Sequence, residues 1–375
     1  MPEQTATILS TSPHQGGGTE RMVQVLAHAL VKQGVAVRFF IPATPREPEL
    51  AIGSQHWHRE HGAPAEIDLA FSRDNQGLRN IRGLARLLRR CPGKTVNFHY
   101  SETVSVSLTD VLAARLAGKR PVLTIQHPTS WGVTSARNQK VMSLALRLAH
   151  RVVVSTGFTR DLVRVQMPTG ACPVVIPCGI PPLAPLPSQM AARRQLGLHA
   201  DAFVVGTLGR LAPYKGVDDT IHALASLPDA ERPLWYVVAG DGPARADLEQ
   251  LAQEKMPGRV QFLGKISDPN LVYAASDVFA MPSHLEGFGL VYVEAAFAGL
   301  PSIGCSVAGA PFVIAEGQTG LLVPPADPLA LARAIERLRQ DVSLRRTLGE
   351  QARVRACAEF TDTVMANRYR DVFFG

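Results

Sequence analysis

Cysteine is scarce in this 375-residue chain, with only Cys91, Cys172, Cys178, Cys305 and Cys357 present. The number is odd and no two stand in C-x-x-C spacing. That argues against a disulfide framework or a cysteine zinc site and for a reducing compartment. Long apolar runs are missing too, and none approaches the ~20 residues that a membrane span needs. The N-terminus carries Glu3 and runs straight into a strand pattern. It lacks the basic start and apolar core of a secretory leader, so the expected location is cytoplasmic. There is no H-E-x-x-H, G-x-S-x-G, P-loop or Asp-x-Asp pair, so metal-dependent phosphate handling has no visible ligand set.

What is present is a hydrophobic fraction of 46% against 19% charged residues, in a chain long enough for about two domains. Charge is unevenly placed. Residues 1–180 hold 21 Lys+Arg against 11 Asp+Glu, and residues 181–375 hold 18 against 21, so the halves carry +10 and −3. The basic half points to an anionic partner, the alternative being a solvated basic surface. Apolar β-type runs alternate with helical periodicity: Thr7–Leu9, Val35–Ile41, Thr95–Phe98, Pro121–Ile125 and Val152–Ser155, with helical stretches at Arg21–Gln33 and Gln76–Arg90. The pattern restarts with Phe203–Leu208, Trp235–Ala239, Val260–Leu263, Val278–Met281 and Pro301–Gly304. Such alternation predicts crossover units and mostly parallel sheets. Between the two sets, Ile176–Gln189 carries prolines at 177, 181, 182, 185 and 187, which predicts an interdomain linker.

In open α/β sheets, ligands bind beyond the carboxyl ends of the strands. Three segments occupy such places. The first, Gly16-Gly17-Gly18-Thr19-Glu20-Arg21, opens the first helix, where glycine backbone and free N–H groups suit an anion. The dinucleotide fingerprint would need glycine at position 21, which is Arg21; a plain flexible loop is the alternative. The second, Gly209 to Gly216, brings Arg210 and Lys215 onto one loop, where a bidentate guanidinium and a compact ammonium can converge on one diphosphate. The third, Pro282 to Glu294, is the most specific. Glu286 precedes two glycines in a turn, and Glu294 lies about one turn inside the helix that follows. Two carboxylates eight apart can reach opposite ends of one ligand, and the N–H groups near Phe288, Gly289 and Leu290 can hold a phosphate. A buried partner for Glu294 is the alternative. His127 ends a strand pattern at the ligand side; His99 is read as structural.

These segments resemble the retaining glycosyltransferases of family four, which have the GT-B fold. The resemblance rests on GGGTER at 16–21, GRLAPYKG at 209–216, GDGP at 240–243, FLGKI at 262–266, PSHLEGFGLVYVE at 282–294 and AGAPFVIAEGQTGLLVPPADP at 308–328. It covers nearly the whole chain and is weakest between 43 and 120. It implies an α/β protein of two Rossmann-like domains facing across a cleft: residues 1–178 binding the acceptor, 179–360 binding the nucleotide sugar, and 361–375 a helix crossing back to the first. By matching position, Arg210 and Lys215 bind the donor diphosphate, Glu286 the transferring sugar and Glu294 the ribose. Phe288, Gly289 and Leu290 supply backbone contacts, Lys265 and Ile266 flank the base, Gly17 and Gly18 line the cleft, and His127 contacts the sugar. The implied donor is a UDP- or GDP-sugar, with no cofactor and no metal, and the acceptor a glycan or lipid-linked hydroxyl in cell-surface polysaccharide, lipopolysaccharide or glycolipid synthesis. Two departures stand out: Phe312 where the family often has Glu after proline, and Pro177-Cys178-Gly179 for the family's proline-asparagine-glycine. Both put donor-sugar identity and loop detail in question.

Two other readings stay open, a nucleotide-sugar epimerase of similar fold and a non-catalytic nucleotide-sugar-binding protein. No nucleic-acid partner is expected. On Gln76–Arg90, Arg79, Arg82, Arg86 and Arg89 form a basic stripe opposite Ile81, Leu84 and Leu88. With the +10 charge of the first half, it suggests peripheral association with an anionic inner membrane face; a solvated arginine face is the alternative.

Overall fold

The computed structural model describes residues 4–10, 18–43, 66–72, 78–102, 106–127, 136–166, 172–228 and 232–375. The chain divides into two compact units, Met1–Pro181 with Phe360–Gly375, and Pro182–Glu359. The division falls within the proline-rich stretch, which is irregular from Ile176 to Ser188 apart from an isolated bridge between Ile180 and Thr361.

In the first unit the strands are β1 (Thr5–Ser10), β2 (Ala36–Ala43), β3 (Glu66–Ser72), β4 (Thr95–Glu102), β5 (Arg120–His127), β6 (Arg151–Val154) and β7 (Val174–Val175). The helices are α1 (Gly18–Lys32), α2 (Leu78–Arg90), α3 (Leu108–Leu116), α4 (Ala136–Leu148) and α5 (Gly157–Gln166). The second unit holds α6 (Gln189–Gln195), β8 (Phe203–Leu208), a 3-10 turn (Pro213–Lys215), α7 (Val217–Ala225), β9 (Leu234–Ala239), α8 (Arg245–Lys255), β10 (Val260–Gly264) and α9 (Asn270–Ala275). It continues with β11 (Val278–Ala280), α10 (Leu290–Phe297), β12 (Ser302–Cys305), α11 (Ala310–Val313), β13 (Gly320–Val323), α12 (Pro328–Gln340) and α13 (Val342–Glu359). The last helix, α14 (Asp362–Phe374), belongs to the first unit.

Both sheets are parallel throughout, ordered β3-β2-β1-β4-β5-β6-β7 and β10-β9-β8-β11-β12-β13. Strand order reverses between β1 and β4 in one unit and between β8 and β11 in the other. These are the switch points where an open α/β sheet leaves a crevice.

The strands of the second sheet read as nearly continuous apolar runs because both of its faces are covered. Phe203 and Val205 of β8, with Leu234, Tyr236 and Val238 of β9, enter one core that includes Ile221, Leu248 and Ile335. Val204, Val237 and Ala239 alternate to the other face and pack with Ala192, Val272 and Ala275. At the amino end of this sheet Asp277 accepts from Val204 N (2.9 Å) and Arg193 Nη2 (2.7 Å), opposite the motif-bearing ends.

Several boundaries differ from the sequence expectation. β4 runs four residues past Phe98, so His99 lies within a strand instead of just beyond one. α14 packs on α1 and bonds to the sheet, with Thr95 Oγ1 donating to Phe373 O (2.9 Å) and Thr124 Oγ1 lying 3.3 Å from Tyr369 OH. β3, β7 and β13, which the apolar pattern did not flag, are all sheet edges.

Candidate active site

The second motif follows β8 and the third follows β11, so the two loops flank the switch point of the second sheet. After Leu208 the chain is held to the neighbouring β9 loop by Gly209 N donating to Ala239 O (3.0 Å) and Leu211 N to Asp241 O (3.0 Å). It then makes the short 3-10 turn that presents Lys215 and starts α7 at Gly216. Gly216 has φ 69°, and a Cβ there would lie 2.3 Å from Pro282 O. Only glycine accommodates both the left-handed backbone and that close approach of the two loops.

The loops are tied across this contact. Lys215 Nζ stands 2.8 Å from Glu286 Oε2, the two side chains being 16% and 12% exposed. His284 N donates to Tyr214 O (2.8 Å), and His284 Nε2 lies 2.6 Å from Asp219 Oδ2 in the first turn of α7. The Lys215 ammonium also sits 5.5 Å from the Tyr214 ring centroid. Arg210 is exposed and, among the described residues, makes no ion pair, so its guanidinium is available to a ligand.

The Glu286 turn ends at Gly289, with φ 87°, where a Cβ would fall 2.3 Å from the Tyr292 ring. Leu290 then starts α10, whose first N–H groups have no acceptor within the helix. Phe288 is buried and packs on Phe312, ring centroids 6.1 Å apart at 53°. Phe312, the residue that departs from the family pattern, thus forms an aromatic wall behind the glycine turn. Gly309 N donates to Glu286 O (2.9 Å) and fixes the turn from the other side. Glu294 is 1% exposed and accepts from Tyr273 OH at 2.5 Å. Tyr273 packs on Phe279 (5.6 Å) and Phe279 on Tyr292 (6.1 Å), which links the seat of Glu294 to the seat of Gly289. Burial pushes the Tyr292 phenol well up, and its hydroxyl donates to Met281 O. Lys265 is exposed and Ile266 half-buried, just after β10 on the same side of the sheet.

The structure therefore brings Lys215, Glu286 and the α10 N-terminus together, and sets Arg210 on the same loop as Lys215. In the first unit, Gly18 opens α1 and β5 ends at His127 opposite Glu102. Gly17 and the side chain of His127 lie outside the described residues. His99 is 1% exposed beneath Tyr369, and burial lowers its pKa to about 3, so it is a neutral structural imidazole. The sequence reading did not single out Asp219, Tyr273 or the ring of His284. The cue for Asp219 is an acidic pair, Asp218-Asp219, in the first turn of a helix that begins beside a cation loop. Among the described residues no group of three or more His, Cys, Asp or Glu is placed to hold a metal, and no helix is long and apolar enough to cross a membrane.

Comparison with known proteins agrees with this geometry. Residues 16–182 match the model described as Glycosyltransferase Family 4, and residues 188–355 match Glycosyl transferases group 1. The D-inositol 3-phosphate glycosyltransferase of Corynebacterium glutamicum is 40% identical over 174 residues, which cover 43% of this chain and 41% of that protein. The likeness thus spans about two-fifths of that relative's length. The alpha-D-kanosaminyltransferase of Streptomyces kanamyceticus is 28% identical over 94% of this chain and 99% of its own. Among solved structures, Anabaena HepE, crystallised with UDP and also with UDP-glucose, superposes with a TM-score of 0.83 at 21% identity in the UDP complex, covering 98% of this chain and 99% of HepE. That likeness establishes the fold as GT-B. With its two halves matching the two family models in order, the chain belongs to the family 4 glycosyltransferases.

Proposed function

We propose that the protein transfers a sugar, with retention, from a nucleoside-diphosphate sugar to a hydroxyl acceptor. One observation carries the reading: the Lys215–Glu286 contact, which joins the cation loop and the carboxylate turn at the switch point of one sheet. In this assignment Arg210 and Lys215 hold the donor diphosphate and Glu286 the transferring sugar. Glu294 meets the ribose, Lys265 and Ile266 meet the base, and the N–H groups of Phe288, Gly289 and Leu290 complete the phosphate seat. The UDP and UDP-glucose held by HepE support a uridine or similar donor.

As the glycosidic bond to the diphosphate breaks, negative charge builds on the departing oxygens. An exposed guanidinium, a half-buried ammonium and a helix N-terminus supply fixed positive potential there, so we assign the reaction no metal. Glu286 is engaged by the Lys215 ammonium at 2.8 Å. We therefore favour substitution on one face, the departing phosphate taking the acceptor proton, over attack by an enzyme carboxylate.

We assign acceptor recognition to the first unit and take the acceptor as a glycan or lipid-linked hydroxyl at an anionic surface. On α2, Ile81, Leu84, Ala85 and Leu88 are buried while Arg82, Arg86 and Arg89 are exposed. α3 packs against both α2 and α4, and α4 exposes Val141 and Leu144 beside Arg137, Lys140 and Arg147. Exposed apolar groups among cations suit an interface with anionic headgroups.

The test is a panel of nucleotide sugars screened by thermal shift, then product analysis with hydroxyl acceptors. Retention is read from the anomeric proton coupling of the product. A panel in which no nucleotide sugar raises the melting point or turns over would overturn the reading.

A further inference from the structure

Three ties join the loop 209–216 and its helix α7 to the loop 282–289. They are the Tyr214–His284 backbone bond, the Lys215–Glu286 ion pair and the His284–Asp219 contact. They differ in what becomes of them when a diphosphate arrives. The ammonium of Lys215 is the group an anionic ligand takes, so its pairing with Glu286 is weakened when the ligand binds. The backbone bond remains, but one hydrogen bond does not fix the rotation of one loop against the other. The remaining side-chain tie runs from His284, two residues before Glu286, to Asp219, which is 9% exposed.

We infer that Asp219 and His284 are a positioning pair that keeps the Glu286 turn in register with the cation loop when the ligand draws Lys215 away from Glu286. The inference rests on the assignment of these loops to a diphosphate ligand. Its chemistry is simple. A carboxylate accepts, so Nε2 of His284 carries the proton in this contact. At 2.6 Å the contact is in the range of charge-assisted hydrogen bonds, stronger than neutral ones. The other ionisable groups close by are Asp218 next in the helix, Cys305 against Asp219, and Lys215 and Glu286 themselves. Neither Asp219 nor His284 needs to touch the reacting atoms. Their work is done through Glu286 and Lys215.

The experiment titrates UDP, GDP, ADP and TDP by calorimetry into the full-length protein and its Arg210→Ala, Asp219→Ala, Asp219→Asn, Asp219→Glu, His284→Ala, His284→Gln and Asp219→Ala/His284→Ala variants. Melting points are recorded with and without nucleotide. Asp219→Ala, His284→Ala and the lengthened Asp219→Glu should each weaken binding about tenfold. Asp219→Asn and His284→Gln keep a hydrogen-bonding pair and should recover most of the affinity. The double alanine variant should bind no worse than either single one. Melting points without nucleotide should fall by a few degrees in the alanine variants, as for the loss of one partner of a half-buried pair, and the further rise caused by nucleotide should shrink as well, which a purely structural role would not produce. If an alanine variant fails to fold, Asp219→Glu against Asp219→Asn gives the same contrast. Alanine variants that bind as wild type, conservative variants as weak as alanine, or additive losses overturn the pair; a loss in Arg210→Ala beside any of them leaves the site assignment standing. If wild type binds none of the four nucleotides, the site assignment and the pair fall together.

Discussion

Replacing Lys215 by alanine should separate two effects that the geometry ties to one ammonium. Lys215 neutralises Glu286 at 2.8 Å, with both side chains mostly covered. At an effective dielectric near 20 the gross attraction is about 6 kcal/mol, most of it returned as lost hydration. A half-buried pair of this kind should leave a net cost of about 2 kcal/mol when one partner is removed, between the surface and buried limits. For a unit of this size that is a fall of about 4–8 °C in melting point. In catalysis the same ammonium should contribute about 3–4 kcal/mol to stabilising the departing diphosphate, so turnover should fall by about 10²–10³. Arg210 offers the control. It is exposed and makes no ion pair among the described residues, so Arg210→Ala should lose rate on a similar scale with an almost unchanged melting point. Adding Glu286→Gln to Lys215→Ala removes the stranded charge. The double variant should regain most of the melting point and none of the rate. Scanning fluorimetry and initial rates at saturating donor measure both quantities. Wild-type kinetics in both single variants, or no thermal recovery in the double variant, would refute the reasoning.

Other outcomes follow from the same structure. Glu286→Gln should be far more damaging to turnover than Glu350→Gln at an exposed position, measured at saturating donor; equal small losses would return Glu286 to a structural role. Activity should survive EDTA, and a complete loss restored by Mg²⁺ or Mn²⁺ would contradict the assignment of leaving-group charge to Arg210 and Lys215. Because burial holds His99 at about 3, below the ordinary value near 6.5, the unfolded chain binds the extra proton between those limits and stability falls as pH drops through that window. Unfolding free energies from denaturant titrations at pH 7 and 5 should differ by about 2 kcal/mol more in wild type than in His99→Phe. Co-sedimentation with anionic liposomes should occur at low salt, weaken as salt rises, and fall in Arg82→Glu/Arg86→Glu; wild type that ignores such vesicles would point to a soluble acceptor.

Much of the architecture was legible in the sequence because a parallel strand covered on both faces must be apolar at nearly every position. β8 reads FVVGTL, and the apolar run coincides with the strand from Phe203 to Leu208. β3 and β7 escaped notice for the converse reason. Each lies at a sheet edge, with one neighbour in place of two. β3 admits Glu66 and Asp68, and β7 is two residues long after Pro173. His99 was misplaced beyond β4 because the polar residues 99 and 101–102 break the apolar run, whereas the strand pairs with β5 as far as Glu102. Backbone pairing continues past the point where side-chain hydrophobicity stops reporting it.

The site was legible in a different way, and its limits have a different cause. Arg210 and Lys215, or Glu286 and Glu294, are local to their motifs, and a loop after a strand already says which end of the sheet they occupy. Which group answers which is not local. Lys215 meets Glu286 across 71 residues, His284 meets Asp219 across 65, and Glu294 meets Tyr273 across 21. The first two pairings are made by the crossovers that return β11 beside β8, and the third by two helices flanking β11. The sequence separation of the first two depends on the lengths of intervening helices, which carry no information about the pair. Asp219 illustrates the consequence. Read locally, it is an acidic residue in the first turn of a helix, a placement the helix dipole favours without any ligand. Only when β11 is laid beside β8 does His284 arrive 2.6 Å from it, and a residue that helix physics had already explained acquires a second role.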